Sequence, residues 1–193
     1  MDKLKNQILV LLGTQGSGKG THSELLSKKF NIPQVIAGDL FREKAKENSL
    51  IGKRIKARLD RGKLMTIDLW EKTISSYLQK HNFKEGVIFD SLLRSMAQVK
   101  RFDAIKKKKD LPDPWIIFIS LSEDEAVKRL LKRNREDDTP ENIRSRQAWS
   151  RSKMMPVINY YRKKNRVLEI NGDQSIKEVH KDILKALKNK GIL

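Results

Sequence analysis

Apolar residues fall in five short runs, separated by longer stretches whose apolar positions recur at helical spacing. Ile8-Leu9-Val10-Leu11-Leu12, Val87-Ile88-Phe89-Asp90 and Trp115-Ile116-Ile117-Phe118-Ile119 lack the polar alternation of a strand with one wet face. They therefore read as central strands of a parallel sheet buried on both sides. Pro33-Gln34-Val35-Ile36-Ala37 and Arg166-Val167-Leu168-Glu169-Ile170 read as two further short strands.

Between them, helices are predicted from Thr21 to Phe30, from Leu40 (capped by Asp39) through a charged stretch to Arg61, and from Thr66 to about Lys80. In the last of these, Ile67, Trp70, Ile74, Tyr77 and Leu78 share a core face. Further helices are predicted from Asp124 to Asn134 and from Thr139-Pro140 to about Lys164, the latter disturbed at Pro156. Ser175 caps a final helix with Ile176, Val179, Ile183, Leu184 and Leu187 at core spacing. Strands alternating with helices imply one α/β domain, with its ligand site outside the carboxyl ends of the strands.

At the end of the first run stands Gly13-Thr14-Gln15-Gly16-Ser17-Gly18-Lys19-Gly20-Thr21. A loop that wraps a polyphosphate must bring backbone N–H groups close to the oxygens, and Gly13, Gly16, Gly18 and Gly20 supply freedom for that. The helix that follows would aim the positive end of its dipole at the phosphates, and Lys19 would reach the β and γ oxygens. The spacing Gly13-x4-Gly18-Lys19 is that of a P-loop, except that Gly20 follows the lysine and the threonine arrives one position late.

The chain has 193 residues, no cysteine and a formal net charge of +18. Its length suits one well-buried core, and no apolar run is long enough for a transmembrane helix. With no signal-like segment after Met1, a cytoplasmic protein is expected. The absence of cysteine excludes disulfides and cysteine-built zinc sites, and His22, His81 and His180 are scattered, so they read as surface or half-buried residues and no zinc is expected. The charge implies a field that attracts polyanions without choosing among them. Lys106-Lys107-Lys108-Lys109 reads as a solvated helix end.

Four further segments follow in an order that resembles the adenylate kinase family of nucleoside monophosphate kinases, over most of the chain. Gly16-Ser17-Gly18-Lys19-Gly20-Thr21 is similar to that family's loop, which explains the late threonine. Ala37-Gly38-Asp39-Leu40-Phe41-Arg42 resembles the segment that grips the acceptor monophosphate, and Gly62-Lys63-Leu64-Met65-Thr66 the stretch that lines the acceptor base. Arg129, Arg133 and Arg135, with Arg146 eleven residues after Arg135, resemble the donor-side arginine set.

The resemblance implies a P-loop NTPase three-layer α/β/α fold with a five-stranded parallel sheet, an acceptor-binding insert at 36–65 and a vestigial lid at 132–138. It implies Lys19, Arg94, Arg133, Arg135 and Arg146 as catalytic residues. ATP would meet Gly16, Ser17, Gly18, Lys19, Gly20, Thr21, Arg129, Arg133 and Gln174. The acceptor would meet Ala37, Gly38, Arg42, Lys63, Leu64, Met65, Arg94 and Gln98, and Asp90 would hold Mg²⁺ through water. Phosphoryl transfer is accelerated mainly by positioning and charge neutralisation, which is why so many arginines are wanted. No covalent phosphoenzyme is needed.

Two departures stand out. The family reads Asp-Gly-Phe/Tyr-Pro-Arg after its third strand, where this chain has Asp90-Ser91-Leu92-Leu93-Arg94, so the aim of Arg94 loses its glycine and proline supports. Only Asn134 separates Arg133 from Arg135, too short for a flap that folds down, so some idle ATP hydrolysis is expected.

Gln98 is similar to the adenylate kinase glutamine that reads adenine, whereas Ala37 resembles the alanine of uridylate-cytidylate kinases. A base-edge hydrogen bond discriminates more strongly than a methyl contact, so AMP is the favoured acceptor and CMP or UMP the alternative. A noncatalytic nucleotide- or RNA-binding protein is the alternative of another class. Aromatic residues make up only 6% of the chain, which leaves few stacking platforms for RNA, so specific nucleic-acid binding is not favoured. A monomer without a membrane partner is expected.

Overall fold

The computed structural model describes residues 4, 6–61, 65–132 and 139–193. Five strands, β1 (Ile8–Gly13), β2 (Gln34–Ile36), β3 (Val87–Asp90), β4 (Trp115–Ser120) and β5 (Val167–Asn171), form one parallel sheet in the order β2-β3-β1-β4-β5. The described helices are α1 (Lys19–Phe30), α2 (Ala37–Ala45), α3 (Leu50–Leu59), α4 (Ile67–Lys80), α5 (Met96–Lys109), α6 (Glu123–Lys132), α7 (Pro140–Lys163) and α8 (Ile176–Asn189).

The period-two pleat of β1 divides the core. Ile8, Val10 and Leu12 pack with Trp70, Phe102, Val157 and Tyr161 on the face covered by α4, α5 and α7. Leu9 and Leu11 pack with Leu26, Val179 and Ile183 on the face covered by α1 and α8. This is the expected three-layer arrangement, and the order of the strands places the ends of β1 and β3 side by side at the middle of the sheet.

Several local expectations are revised. The helix expected at Leu40 begins at Ala37, so Ile36 occupies the N-cap position and Asp39 lies in the first turn, where its charge favours the dipole and pairs with Arg42. The charged stretch to Arg61 is not one helix: it breaks after Ala45 and restarts at α3, whose Ser49 side chain accepts from the Gly52 N–H. A Cβ on Gly52 would stand 2.3 Å from the Glu47 carbonyl, so the break requires glycine there. Pro156 leaves α7 continuous over 24 residues. It stands on an exposed position, so its missing N–H removes one ladder bond without driving the ring into the core. Ile176 is 57% exposed rather than core.

The four-lysine run also divides. Lys107, Lys108 and Lys109 are exposed, but Lys106 is buried, donates to the Asp113 carboxylate and pairs with Asp103 at 3.2 Å. Burial works to raise the Asp113 pKa, and the hydrogen bond and charge of Lys106, aided by Lys164, outweigh it and hold that carboxyl below its usual range. His22, expected at or near the surface, is buried in α1 and stacked on His180 of α8 with ring centroids 6.2 Å apart.

Candidate active site

The phosphate-loop motif lies between the end of β1 and the start of α1. Gly16 and Gly18 have φ of +84° and +81°, conformations that a Cβ would strain. Gly18 is the N-cap of α1, and no side chain caps that end of the helix. Its first N–H groups thus face the carboxyl edge of the sheet as a ready anion site. Lys19 Nζ donates to the Thr14 carbonyl at 3.3 Å, tying the lysine across its own loop.

The motif's residues do not all act alike. Ser17 is buried, and its N–H donates to the Thr14 carbonyl at 3.3 Å, which braces the loop. Gly20 has no positive φ, and a Cβ there would make only ordinary contact with Asp90 Oδ2 at 3.5 Å. That distance places the Asp90 carboxylate against the first turn of α1, at Gly20, whose neighbour in sequence, Thr21, is exposed.

The turn after β3 keeps its shape by other means than the expected Gly and Pro. Ser91 itself takes the left-handed conformation, with φ +62°, and its hydroxyl donates to Asp90 Oδ1 at 2.7 Å while its N–H donates to Leu11 at 3.0 Å. Such a backbone costs a non-glycine residue about 1–2 kcal/mol, and these two bonds offset it. Leu92 and Leu93 are fully buried, and the Trp70 indole N–H donates to the Leu92 carbonyl at 3.2 Å. Arg94 Nε then donates back to the Ser91 carbonyl at 3.3 Å. Surrounding protein lowers the Arg94 pKa by desolvation, and the Asp90 charge opposes that shift.

A cavity of about 480 Å³ opens at this point, and Lys19, Arg94 and Arg146 all line it. Two other predicted catalytic residues, Arg133 and Arg135, lie outside the described residues, as do Lys63 and Leu64. Gln15, Ser91, Trp149, Ser150 and Lys153 also line the cavity and were missed from the sequence. A usable signal existed: Trp149, Ser150 and Lys153 follow Arg146 at i+3, i+4 and i+7, the face of α7 that Arg146 occupies.

The remaining described residues of the expected site do not line the cavity. Arg42 is exposed on α2, its guanidinium over Gly38 and bonded to Asp39. Ala37 is buried at the start of the same helix, and half-buried Met65 packs against the core. Gln98 accepts a 2.6 Å hydrogen bond from the Arg94 N–H, so its amide oxygen is occupied and its NH₂ group is what remains for a base.

Arg129, expected to meet ATP, makes edge-on bonds to three carbonyls: Gly16 at 3.4 Å, Gly172 at 2.9 Å and Gln174 at 3.1 Å. Glu125 accepts from its Nε at 2.8 Å. The Gln174 side chain donates to Asn171 at 2.9 Å and to Asp182 at 3.0 Å, which fixes the loop between β5 and α8.

Among the described residues no group of three or more His, Cys, Asp or Glu side chains could hold a metal. Asp90 and Thr21 supply hard oxygen donors above the phosphate loop, which suits a Mg²⁺ that keeps several waters and is held largely by the phosphates. No helix among the described residues is long and apolar enough to cross a membrane.

A family model described as adenylate kinase matches residues 11–166. The adenylate kinase of Corynebacterium urealyticum is 35% identical over 179 residues, covering 93% of this chain and 98% of its own length. Adenylate kinase 1 of Nostoc sp. is 34% identical over 171 residues, covering 89% of this chain and 93% of its own. The adenylate kinase of Thermosipho africanus is 30% identical over 211 residues, covering 93% of this chain and 99% of its own. With a parallel sheet in the order β2-β3-β1-β4-β5, a phosphate loop at the end of its central strand and these relatives along nearly its whole length, the chain belongs to the adenylate kinase family and is an ATP-dependent nucleoside monophosphate kinase.

Proposed function

We propose that the chain transfers the γ-phosphate of ATP reversibly to AMP, giving two molecules of ADP. The observation that carries this reading is the convergence of Lys19, Arg94 and Arg146 on one cavity at the adjoining ends of β1 and β3. In the forward direction an AMP phosphate oxygen attacks the γ-phosphorus in line. A new P–O bond forms as the bond to the β–γ bridging oxygen breaks, and that oxygen leaves as ADP.

The N–H groups at the start of α1 hold the β-phosphate region, and Lys19 follows the β and γ oxygens. Arg146 neutralises the transferring group from α7, a role shared with Arg133 and Arg135 on the resemblance. Arg94 orients the acceptor's phosphate from the turn after β3. Arg42 joins it when the insert at 36–65 closes, exchanging its bond to Asp39 for one to phosphate; arginine's planar fork suits that exchange. Arg129 and Gln174 border the donor base, with Arg129 acting first as a brace. Asp90, through water and with Thr21 nearby in the sequence of α1, would hold Mg²⁺, which would spread the negative charge of the β and γ oxygens. A monomer in the cytoplasm, with no membrane or nucleic-acid partner, completes the reading.

Adenine is favoured over a pyrimidine by the likeness of Gln98 to the adenylate kinase glutamine that reads adenine; its oxygen accepts from the Arg94 N–H, which leaves its NH₂ to donate to the base. The relatives' names agree with this acceptor. The test is a panel of AMP, CMP, UMP and GMP with ATP and Mg²⁺. The expected result is AMP preferred by at least about tenfold in kcat/KM. Preference for CMP or UMP would replace the acceptor, and transfer to none with tight RNA retention on a filter would overturn the catalytic reading.

A further inference from the structure

Trp149 is 50% exposed, in contrast to Trp70 and Trp115, which are buried. A single exposed aromatic is ordinary on a protein surface. This one stands on the wall of the cavity that holds Lys19, Arg94 and Arg146, one helical turn beyond Arg146 and one turn before Lys153. The spacing i, i+3, i+7 sets a cation, an indole and a second cation along one face of α7. Among the described residues, the other large exposed apolar side chains, Ile36, Leu50, Leu131 and Ile176, do not line it.

A kinase must keep water from competing with its acceptor, and family members with longer segments between the residues matching Arg133 and Arg135 have a flap for that purpose. Here a single residue, Asn134, separates those arginines. An indole is the largest rigid apolar surface a side chain can bring, about 150–250 Å² with only two rotatable bonds, and its N–H can donate to a phosphate oxygen. Arg146 and Lys153 on either side attract the polyphosphate, and the ring between them offers water no partner on its face.

We propose that Trp149 closes over the reacting phosphates and limits phosphoryl transfer to water, a covering role supplied by α7 in place of a flap. It rests on the kinase reading given above. The hydrolysis expected from the short lid is thereby held well below transfer in the natural chain, and removing the indole releases it.

The test compares the natural chain with Trp149→Ala and Trp149→Phe. Phosphate release from Mg·ATP is measured without acceptor, transfer to AMP is measured separately, and tryptophan emission is followed as ADP is added. The expected result is that the ratio of hydrolysis to transfer rises roughly tenfold in Trp149→Ala and less in Trp149→Phe, which keeps a ring. ADP is expected to alter the emission of the natural chain, and Trp149→Phe to lose most of that response, because Trp70 and Trp115 are buried away from solvent. An unchanged ratio in Trp149→Ala, or an ADP response that survives intact in Trp149→Phe, overturns the proposal while leaving the kinase reading in place. If the natural chain transfers nothing to any monophosphate, the kinase reading fails. The emission comparison then decides alone: loss of the response in Trp149→Phe upholds the indole over bound phosphates, and its survival overturns it.

Discussion

The indole N–H of Trp70 on α4 donates to the carbonyl of Leu92 at 3.2 Å, a buried bond that spans 22 residues and fixes the backbone two residues before Arg94. It does what a proline's rigid ring would otherwise do: it holds the chain in one path so that the arginine emerges toward the cavity. Replacing Trp70 by Phe keeps most of the apolar volume but leaves that carbonyl without its donor. A loss of about 1–3 kcal/mol is expected in urea unfolding. The KM for the monophosphate is expected to rise more than the KM for ATP, because Arg94 is the group released; equal effects on both would count against this role.

Lys19→Ala removes the charge that follows the phosphates while leaving α1 intact, since alanine is the better helix former. Turnover is expected to fall by a factor on the order of 10³ or more with an unchanged far-ultraviolet dichroism spectrum. Near-normal turnover would remove Lys19 from the mechanism.

Gln98 caps the Arg94 N–H and, on the proposed function, also reads the base; one substitution separates the two. Gln98→Glu keeps an oxygen for the Arg94 N–H and deletes the NH₂. The expected outcome is native stability with the KM for AMP raised about tenfold or more and kcat nearly constant, as for a residue that reads the base and takes no part in the chemistry. A fall in stability without a change in KM would assign Gln98 to capping alone.

His22 makes stability depend on pH. Burial, then the charges of His180 and Arg129, lower its pKa from 6.5 to about 4. The fold therefore keeps His22 neutral while the unfolded chain takes up a proton, so stability is complete above about pH 6.5 and falls as the pH drops toward 4. His180, itself lowered by burial and by Lys29, adds to the loss in the same direction. The expected loss over this window is about 3 kcal/mol, read from urea midpoints. His22→Gln is expected to flatten that acid limb; a slope equal to the natural chain's would exclude His22 as its source.

The sheet was legible because fully apolar runs such as Ile116-Ile117 have no other stable place than the middle of a covered parallel sheet. The phosphate loop was legible because its requirements are local: positive φ at Gly16 and Gly18 and a lysine after them. The turn after β3 was not, because its support comes from a tryptophan 22 residues upstream and from a serine that accepts an unfavourable φ when its hydroxyl and N–H are both bonded. Lys106 misled for a similar reason. Of its two partners, Asp103 stands three residues earlier on the same helix and was a local signal, but Asp113 lies beyond the helix end and only the fold brings it to Lys106. The start of α2 was set too late because a helix can begin directly from a strand, without the side-chain cap that Asp39 suggested.

Arg129 joins segments from far apart in the chain, since one guanidinium holds the carbonyls of Gly16, Gly172 and Gln174. The phosphate loop and the loop between β5 and α8 are thereby riveted into a single anvil by the fold itself. On the proposed function, the stroke is then expected to be one-sided, with the acceptor half as the hammer. Arg129→Lys, with one donor group where the guanidinium has several, is expected to speed amide exchange in both loops together, and exchange rising in only one would separate them.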